Sequence, residues 1–534
     1  MLFKILRTKK FLFIVCWCLT LLFLSSCSLI KSQKEPSQNQ QNTEPSTPPG
    51  EKDDVIIHGV ELSNLKLLRY ENPLMNNASY IEATVNKGYI HFFTYYLTDS
   101  FASSDNNYFP IVAEDPDNGI KLFLVSKDLR SVFTVDSINK DLAQQGYLFY
   151  ILGWKDDTLY YMKAEGEEKE KGFSFYSFNT QNKNSKKLAF LNLENLYVGN
   201  FKFVPEKNRV ILFVPGKFLQ IKLDNGNISL LKSGLPSYDG LFYSRISPDG
   251  RFIAYSYLEP ERRGIYVFDV ENKKEQRVAI SKDADYFMPQ WSYDGRYLAF
   301  YFLKKNEKGE LEFVEGEDGP YPIGDGIKVV DLKENEQFDV TLEDEKGKKR
   351  IGYFYFNKDS NFLLFTGISL ENAGKLREFS IKFDMENMIN IPFEGLWFFD
   401  LNEKTSKKIS GEKRLGFYPS AVISKNEYYY FDSYGQGWQE LRYFENGSEK
   451  EVFGKDYSFM SGRYYTLPFI KDKLILSGIN KDGEINVFEI YKGKAREIFK
   501  VKGILRDYYV ADGNIIVFMN TPEDQEKLIV IPLN

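Results

Sequence analysis

Carboxylates with the capacity for metal or cation binding are concentrated within residues 304–325. They are Glu310, Glu312, Glu315, Glu317 and Asp318, and Tyr321 follows them between two prolines. Hard cations such as Ca²⁺ bind several carboxylate oxygens at once, so this segment is a candidate calcium loop or cationic-ligand loop. It lacks the spacing of an EF-hand, and a solvated acidic hairpin would have the same composition.

A second candidate for ligand contact is aromatic. A Tyr-Gly-Gln-Gly-Trp sequence holds Tyr434 and Trp438, and its glycines would let both rings lie at a loop tip and stack on a ligand. Core packing of Trp438 is the alternative. Trp154, Trp291 and Trp397 fall on strand-like patterns, so we expect these three in the core.

The motifs of several common enzyme classes are missing from the sequence. The chain has 2 histidines, His58 and His91, and contains no Gly-x-Ser-x-Gly elbow, His-Glu-x-x-His helix or Walker loop. A glycosidase-type carboxylate pair is assembled from residues far apart in sequence, so the sequence neither identifies nor excludes one. These observations favour a protein without catalytic activity. They predict no cofactor, with Ca²⁺ at the acidic segment as the alternative.

The elements that would position these residues are indicated by a repeated turn. Residues 246–255 read Ile-Ser-Pro-Asp-Gly-Arg-Phe-Ile-Ala-Tyr, and residues 291–300 read Trp-Ser-Tyr-Asp-Gly-Arg-Tyr-Leu-Ala-Phe. Ser, Pro, Asp and Gly are favoured in type I turns, and the aromatic and β-branched run that follows is typical of a buried strand. A repeat of about 45 residues is typical of a β-propeller.

Fainter copies of this turn and strand recur along the chain. They lie at 85–93, 153–161, 203–213, 356–365, 422–431, 469–476 and 509–518. A second signature, an apolar strand that ends in Asp and a polar turn, follows several copies, as at 264–272, 326–332 and 395–402. A short amphipathic strand such as 276–280 then completes a unit of four strands, which is one propeller blade.

The two strong copies resemble the TolB-type propeller repeat, in which a Ser-Pro-Asp-Gly turn followed by Arg or Lys precedes an apolar strand ending in Ala-Tyr or Ala-Phe. The match covers residues 247–255 and 292–300, and Tyr293 stands where this repeat usually has proline. The same repeat builds the non-catalytic propellers of the dipeptidyl peptidase and prolyl oligopeptidase families. The resemblance therefore implies a propeller fold and a binding module.

The sequence thus predicts an all-β fold, a β-propeller of four-stranded antiparallel blades over residues 55–534. Nine turn-centred units are present. Propellers typically have about four to eight blades, so we predict eight, with seven or nine as alternatives. The last unit has three obvious strands, and we expect residues 59–68 to supply its fourth. Several separate antiparallel sandwiches are the alternative architecture.

The N-terminus indicates export and lipidation. Basic residues precede an apolar run at 11–24 that ends in Leu-Ser-Ser-Cys, which resembles the bacterial lipobox. This resemblance implies a signal peptide over 1–26 and a lipidated Cys27, with palmitate as one acyl group. Residues 27–54 are rich in Gln, Asn, Ser, Pro and Glu and should form a disordered tether. An uncleaved membrane anchor or an ordinary secretory signal is the alternative.

Composition limits the partners. The net charge is -6 at pH 7, and all 3 cysteines lie within the first 27 residues, so the predicted propeller has no disulfide. An acidic chain disfavours nucleic-acid binding, which needs a basic face, and leaves the lipid as the one membrane contact. Long loops on rigid scaffolds often bind ligands, and the repeat spacing places insertions near 304–325 and 366–394.

Together these features predict a lipoprotein of the bacterial cell envelope, on the extracytoplasmic face of a membrane, whose propeller binds or scaffolds a protein, peptide or glycan. The alternative is a propeller enzyme that acts on extracellular polysaccharide or peptide through carboxylates in its channel. Converging carboxylates in a deep axial pocket would favour the enzyme. An exposed aromatic or polar rim would favour the binding module.

Overall fold

The protein is built almost entirely of β-strands in the computed structural model, which describes residues 55–533 with gaps. The gaps are 63, 76–77, 92–100, 167–171, 193–199, 236–241, 258–261, 312–314, 317–318, 321–322, 346, 372, 374–391, 394, 411–413, 416–420, 434–438 and 461–466. The predicted signal peptide, the predicted tether and Cys27 lie outside the described residues. Within the described part, no helix is long and apolar enough to cross a membrane. Asp54–Asn534 form one compact unit.

Antiparallel sheets follow one another along the first half of the chain. The first strands are β1 (Ile56–Leu62), β2 (Leu65–Glu71) and β3 (Ser79–Val85). Three sheets follow: β4 (Tyr108–Asp115), β5 (Gly119–Ser126) and β6 (Val132–Ile138); β7 (Phe149–Lys155), β8 (Thr158–Glu165), β9 (Gly172–Asn179) and β10 (Asn184–Asn192); and β11 (Asn200–Val204), β12 (Arg209–Val214), β13 (Lys217–Lys222) and β14 (Ile228–Ser233). A short helix, α1 (Lys140–Gln144), precedes β7, and a 3-10 turn (Pro205–Lys207) follows β11.

The middle of the chain continues the pattern. Its sheets are β15 (Phe242–Ile246), β16 (Phe252–Tyr257), β17 (Gly264–Asp269) and β18 (Lys274–Ala279); β19 (Ala284–Trp291), β20 (Tyr297–Lys304), β23 (Gly326–Asp331) and β24 (Glu336–Val340); and β25 (Leu342–Asp344), β26 (Gly347–Phe356), β27 (Phe362–Ser369), β29 (Leu396–Asp400) and β30 (Thr405–Ser410). Two small sheets accompany them. One is a hairpin of β21 (Glu315–Gly316) with β22 (Gly319–Pro320), and the other pairs β28 (Pro392–Phe393) with β31 (Arg414–Leu415), which follows β30 in the chain.

The last part of the chain contains one long sheet and the final strands. The long sheet comprises β32 (Ala421–Ser424), β33 (Glu427–Ser433), β34 (Gln439–Glu445), β35 (Ser448–Met460), β36 (Phe469–Ile470), β37 (Lys473–Asn480), β38 (Glu484–Tyr491) and β39 (Lys494–Lys502). The final strands are β40 (Ile504–Ala511), β41 (Asn514–Asn520) and β42 (Glu526–Pro532). The predicted class, an all-β propeller of antiparallel four-stranded units, is confirmed.

Burial explains why each strand takes its place. Every residue of β16 after Phe252 is buried, whereas the first four residues of β18 are exposed. A middle strand packs against neighbouring sheets on both faces and so must be apolar on both, while an outer strand meets water. Aromatic rings fill the space between sheets, as where Tyr301 of β20 meets Phe354 of β26 at 4.6 Å. Trp154 and Trp397, each 4% exposed, lie in this core as predicted.

The first and last strands join in one sheet, but the strand that joins them was wrongly predicted. β3 pairs antiparallel with β42, with Ile81 opposite Val530, in a six-stranded sheet that also holds β40 and β41. Residues 59–68, predicted for this role, lie in the β1–β2 hairpin outside β3. A strand held between two others must be buried on both faces; β3 meets this requirement and β1, largely exposed, does not.

The predicted turn copy at 85–93 is also wrong. Val85 ends β3, and the chain then turns so that Ile90 forms a bridge with Ala113 of β4. This segment therefore connects two sheets instead of joining two strands of one hairpin.

The repeat turn that precedes β4 lies further along the chain, at residues 103–108. Ser103 Oγ donates to Asp105 at 2.5 Å and accepts from the N–H of Tyr108 at 2.9 Å, as the serine does in the strong copies. Asn106 adopts the left-handed φ of 57° that glycine adopts elsewhere. Asn tolerates this conformation better than most residues, so neither proline nor glycine marks the turn.

The number of blades stays a prediction. β35 pairs with both β34 and β37, which merges two units into one sheet. The sheet of β4, β5 and β6 has three strands plus the bridge at Ile90. Sheet boundaries therefore do not coincide with blade boundaries.

The repeat turns and the two insertions leave their sheets from opposite ends. In the fifth unit, the turn at 292–296 joins β19 to β20, and residues 305–325 join β20 to β23. Successive connections in an antiparallel sheet alternate between its two ends. The same order holds for β26, β27 and β29, where the second insertion follows β27. The predicted binding insertions therefore do not share an end with the repeat turns of their own sheets.

Candidate ligand-binding cleft

A cleft of about 770 Å³ lies among β11, β15, β19 and β26, with Tyr301 of β20 in its wall. Each of these four strands precedes the turn of its repeat unit, and we call such a strand the inner strand because it lies nearest the channel of a propeller. The turns after β15 and β19 contribute Pro248, Ser292 and Tyr293. Four successive units thus supply one site.

Two inner strands are bulged beside the cleft. β19 loses register with β20 between Phe287 and Gln290, and Met288 between them has a φ of 52°. Left-handed backbone is strained for a residue other than glycine, and such strain clusters at functional sites. β26 loses register with β27 between Ile351 and Phe354. A bulge bends its strand and re-aims side chains, and both bulges here contribute to the lining of the cleft.

The cleft carries positive charge. Arg245 is exposed, and its Nη1 donates to the carbonyl of Ser244 at 2.9 Å. Lys202, half-buried on β11, also belongs to the lining. Within the described part of the chain, Arg245 forms no ion pair with a carboxylate, and neither Asp nor Glu occurs in the lining. The exposed guanidinium of Arg245 can therefore pair with an anionic group.

Aromatic rings occupy the same cleft in defined positions. Trp291 Nε1 donates to the carbonyl of Arg245 at 3.0 Å, which ties β19 to β15. Its ring stacks on Phe252 with centroids 6.1 Å apart and planes 24° apart. Tyr293, two residues on, exposes 55% of its surface. Trp291 is thus fixed in orientation and Tyr293 is accessible, so the pair can stack on a flat ligand group.

The wall behind these rings belongs to the rigid core. The hydroxyl of Tyr301 donates to the carbonyl of Gly352 at 3.2 Å. The ring of Tyr301 meets Phe354 edge-on at 4.6 Å and stacks on Phe287 at 5.2 Å. These contacts link β20 with β19 and β26, so the wall is formed before any ligand arrives. A preformed site binds without loss of further conformational freedom.

The predicted binding loops lie elsewhere or outside the described residues. Glu310 is exposed in a tight turn, where its N–H donates to Oδ1 of Asn306 at 2.9 Å. Glu315 begins the β21–β22 hairpin. Outside the described residues lie Glu312, Glu317, Asp318, Tyr321, Tyr434 and Trp438. Glu310 is not among the described residues that line the cleft, and ligand or Ca²⁺ binding by these loops stays a prediction.

Sequence reasoning missed the cleft, although one residue signalled it. Trp291, predicted in the core, is half-buried and lines the cleft, because it ends an inner strand that has a partner on one edge. Arg245 lies in β15, one residue before the predicted repeat copy, and carries no motif. Tyr293 was the available signal, since a large aromatic residue replaces the proline that the turn favours.

Buried carboxylates lie apart from the cleft lining. Burial raises the pKa of Asp285, although Arg263 Nη1 lies 2.9 Å from its carboxylate. Burial also raises the pKa of Glu526, which accepts the N–H of Ile90 at 3.0 Å. The two carboxyl groups belong to different sheets. Among the described residues, no group of three or more His, Cys, Asp or Glu side chains is arranged to hold a metal ion.

Comparison with known proteins assigns no family. No family model and no curated protein matches the chain. The dipeptidyl peptidase 4 of Porphyromonas gingivalis is 10% identical over 68% of this chain and 55% of its own, with a TM-score of 0.44. This chain thus spans about half the length of that peptidase.

Two shorter structures are matched over nearly their whole length. Sqt1 from Chaetomium thermophilum is 12% identical over 84% of this chain and 97% of its own, with a TM-score of 0.40. An oligogalacturonate lyase from Vibrio parahaemolyticus is 7% identical over 71% of this chain and 95% of its own, with a TM-score of 0.34. Similarities of this size assign no activity.

Proposed function

We propose that this protein is a ligand-binding module held on the extracytoplasmic face of a bacterial membrane by a lipid on Cys27. The Leu-Ser-Ser-Cys end of the apolar N-terminal run supports the anchor. The polar, Pro-containing composition of residues 27–54 supports a flexible tether. Such a tether would let the TolB-like propeller meet envelope proteins, peptides or glycans at a distance from the lipid.

The cleft is the proposed binding site. The observation that carries this proposal is the convergence of cationic and aromatic side chains from four successive inner strands on one concave surface. Ligand sites are commonly concave, largely preformed and equipped with a few polar groups that orient the ligand. The lining meets this description with Arg245 as the polar group and Trp291 and Tyr293 as the rings.

The enzyme alternative receives no support from this site. It needs a pair of carboxylates, one as acid and one as base or nucleophile. The described lining supplies none. The cleft is accordingly proposed as a binding site, and the enzyme alternative stays a prediction.

Binding at the cleft can be tested by retention of labelled envelope fragments on the immobilised full-length chain. Tyr293→Ala should lower retention roughly tenfold, the usual effect of losing a central aromatic contact. Tyr491→Ala is the matched control, because Tyr491 is 45% exposed and lies outside the cleft lining. Equal retention by the wild type and Tyr293→Ala would place binding elsewhere.

The acidic segment is tested in the same assay. Five neutral substitutions, Glu→Gln or Asp→Asn, replace Glu310, Glu312, Glu315, Glu317 and Asp318. Retention should stay at the wild-type level, with or without Ca²⁺. Loss of retention in this variant, with the Tyr293→Ala variant unaffected, would move the site to the insertion.

The anchor has its own test. Cys27→Ala should release the protein from the membrane fraction, because the lipid is the proposed attachment. Fractionation followed by immunoblotting measures the effect. Unchanged membrane retention of Cys27→Ala would contradict the lipid anchor and leave the cleft proposal untouched.

A further inference from the structure

We propose that the cleft binds a short acidic glycan, a run of sugar rings that bear carboxylates. This inference rests on the proposed binding function of the cleft and names the class of ligand. Three features of the described residues carry it: the charge of the lining, the arrangement of its rings and the shape of the strand edges beside them.

The charge of the lining selects an anion. Arg245 presents its guanidinium from an exposed position, and its Nη1 donates to the backbone carbonyl of Ser244. The guanidinium plane matches a carboxylate in two-point geometry. The described lining contains no acidic side chain to repel the ligand.

The rings select a ligand with flat faces. Trp291 is held by its hydrogen bond to Arg245 and by its stacking on Phe252, so a contact with its free surface requires no reordering of the indole. Tyr293, two residues after Trp291, adds an accessible ring to the same lining. Sugar rings have apolar C–H faces that pack on aromatic rings, while their carboxylates stay at the ring edge. A chain of uronic acids therefore meets both parts of the lining.

The strand edges disfavour a peptide. A bound peptide commonly adds a strand to a free sheet edge and uses its regular N–H and C=O groups. At the cleft, β19 breaks register between Phe287 and Gln290, and Pro289 within the break has no N–H to donate. The register break in β26 interrupts the next inner strand in the same way. The edges of β19 and β26 are therefore poor templates for an added strand, whereas glycan stacking needs no strand edge.

The size of the cleft fits an oligomer. Its volume of about 770 Å³ lies in the upper part of the range for pockets that enclose small ligands, about 300–1,000 Å³. A single sugar ring would leave much of this space to water. A run of a few rings would reach both the aromatic pair and Arg245.

Calorimetric titration of the full-length chain in detergent tests the class of ligand. The probes are a cellouronate tetramer, cellotetraose, which has the same backbone with hydroxymethyl groups in place of carboxylates, and tetraglutamate. The cellouronate tetramer should bind at least roughly tenfold more tightly than either other probe, and its affinity should fall as salt is raised. Equal binding of cellotetraose would overturn the charge argument. Equal binding of tetraglutamate would overturn the choice of glycan over peptide.

Substitutions then locate the carboxylate contact. Arg245→Ala should weaken cellouronate binding roughly tenfold, as expected for loss of a charge-assisted contact. Arg130→Ala is the matched control, because the Arg130 side chain is 84% exposed and lies outside the lining. Equal weakening by both substitutions would show a nonspecific charge effect and overturn the proposal.

The inference and the proposed function can fail separately. If the cellouronate tetramer does not bind, while retention of envelope fragments still depends on Tyr293, the acidic glycan is wrong and the binding cleft stands. If neither depends on the cleft residues, both are wrong.

Discussion

The two strong copies of the repeat turn share every internal hydrogen bond that defines them. Ser247 Oγ donates to Asp249 at 2.7 Å and accepts from the N–H of Phe252 at 2.8 Å. In the second copy Ser292 does the same at 2.6 and 2.9 Å. The hydrogen bonds of the turn therefore form regardless of which side chain, Pro248 or Tyr293, occupies the second turn position.

The copies differ where they meet the cleft. The first has Pro248, and its inner strand β15 keeps a continuous register with β16. The second has Tyr293, and β19 is bulged at Met288. The repeat thus supplies a constant turn, and the two rings of the proposed site, Trp291 and Tyr293, occupy positions where the second copy departs from the first, which has Ile246 and Pro248 there.

The glycines of the two turns should respond unequally. Gly250 and Gly295 both have positive φ, 63° and 73°. A Cβ at Gly250 would collide with Cγ2 of Val204, whereas a Cβ at Gly295 would lie 3.7 Å from Pro248. Gly295→Ala should lower the free energy of unfolding by about 1–2 kcal/mol through its backbone alone. Gly250→Ala should lower the free energy of unfolding by the same backbone cost and by about 1–3 kcal/mol more, because the added methyl group overpacks the contact with Val204. Urea denaturation measures both; equal losses would contradict the packing difference.

The serines of the two turns should respond equally. Ser247 and Ser292 are fully buried. Ser→Ala at either position removes the hydroxyl donor to the aspartate of the turn and the acceptor of the backbone N–H of Phe252 or Tyr297. Each substitution should lower the free energy of unfolding by about 1–3 kcal/mol. A clear difference between the losses of the two variants, measured by urea denaturation, would show that the hydrogen bonds of the two turns are not equivalent.

Tyr293→Pro gives the second turn the proline that the first turn has at the same position. Proline suits this position of a type I turn, so stability should rise by about 0.4–1 kcal/mol or stay level. Retention of envelope fragments should fall as it does for Tyr293→Ala. A destabilised Tyr293→Pro variant would mean that Tyr293 is needed for the turn itself, and that its role is structural.

The smallest predicted effect is a pH dependence. Partial burial works to raise the pKa of Asp249, but hydrogen bonds from the Arg251 N–H and the Ser247 hydroxyl outweigh it and hold the pKa below its usual value. A group with a lowered folded-state pKa contributes stability above its unfolded pKa and loses it as the pH falls through the folded value. Stability should therefore decline below about pH 4, and less so in Asp249→Asn. Identical acid profiles for both proteins would contradict this.

Much of the scaffold was predictable because its signals are local. Turn residues at Asp156, Asn208 and Asp512, each with positive φ, mark the copies that the sequence identified. The first turn was missed because Asn106 takes the place of glycine and no proline accompanies it. The closing strand was misassigned because β1 and β2 are as apolar in sequence as β3, and pairing over more than 400 residues leaves no local trace.

The cleft was not predictable in the same way. It is assembled from strands that are far apart in sequence, and bulges such as that at Met288 leave no signal in an apolar run. The carbonyl of Arg245 and the indole of Trp291 meet across a separation of 46 residues. Only Tyr293, as a departure from the repeat, could have pointed to the site.

Hydrogen exchange with and without the retained envelope ligand tests the central claim most directly, because it locates the ligand without any substitution. Slower exchange should appear in peptides that cover 242–248, 288–293 and 350–354. Residues 304–325 should exchange at the same rate in both states. Protection confined to 304–325, with the inner-strand peptides unchanged, would contradict the account.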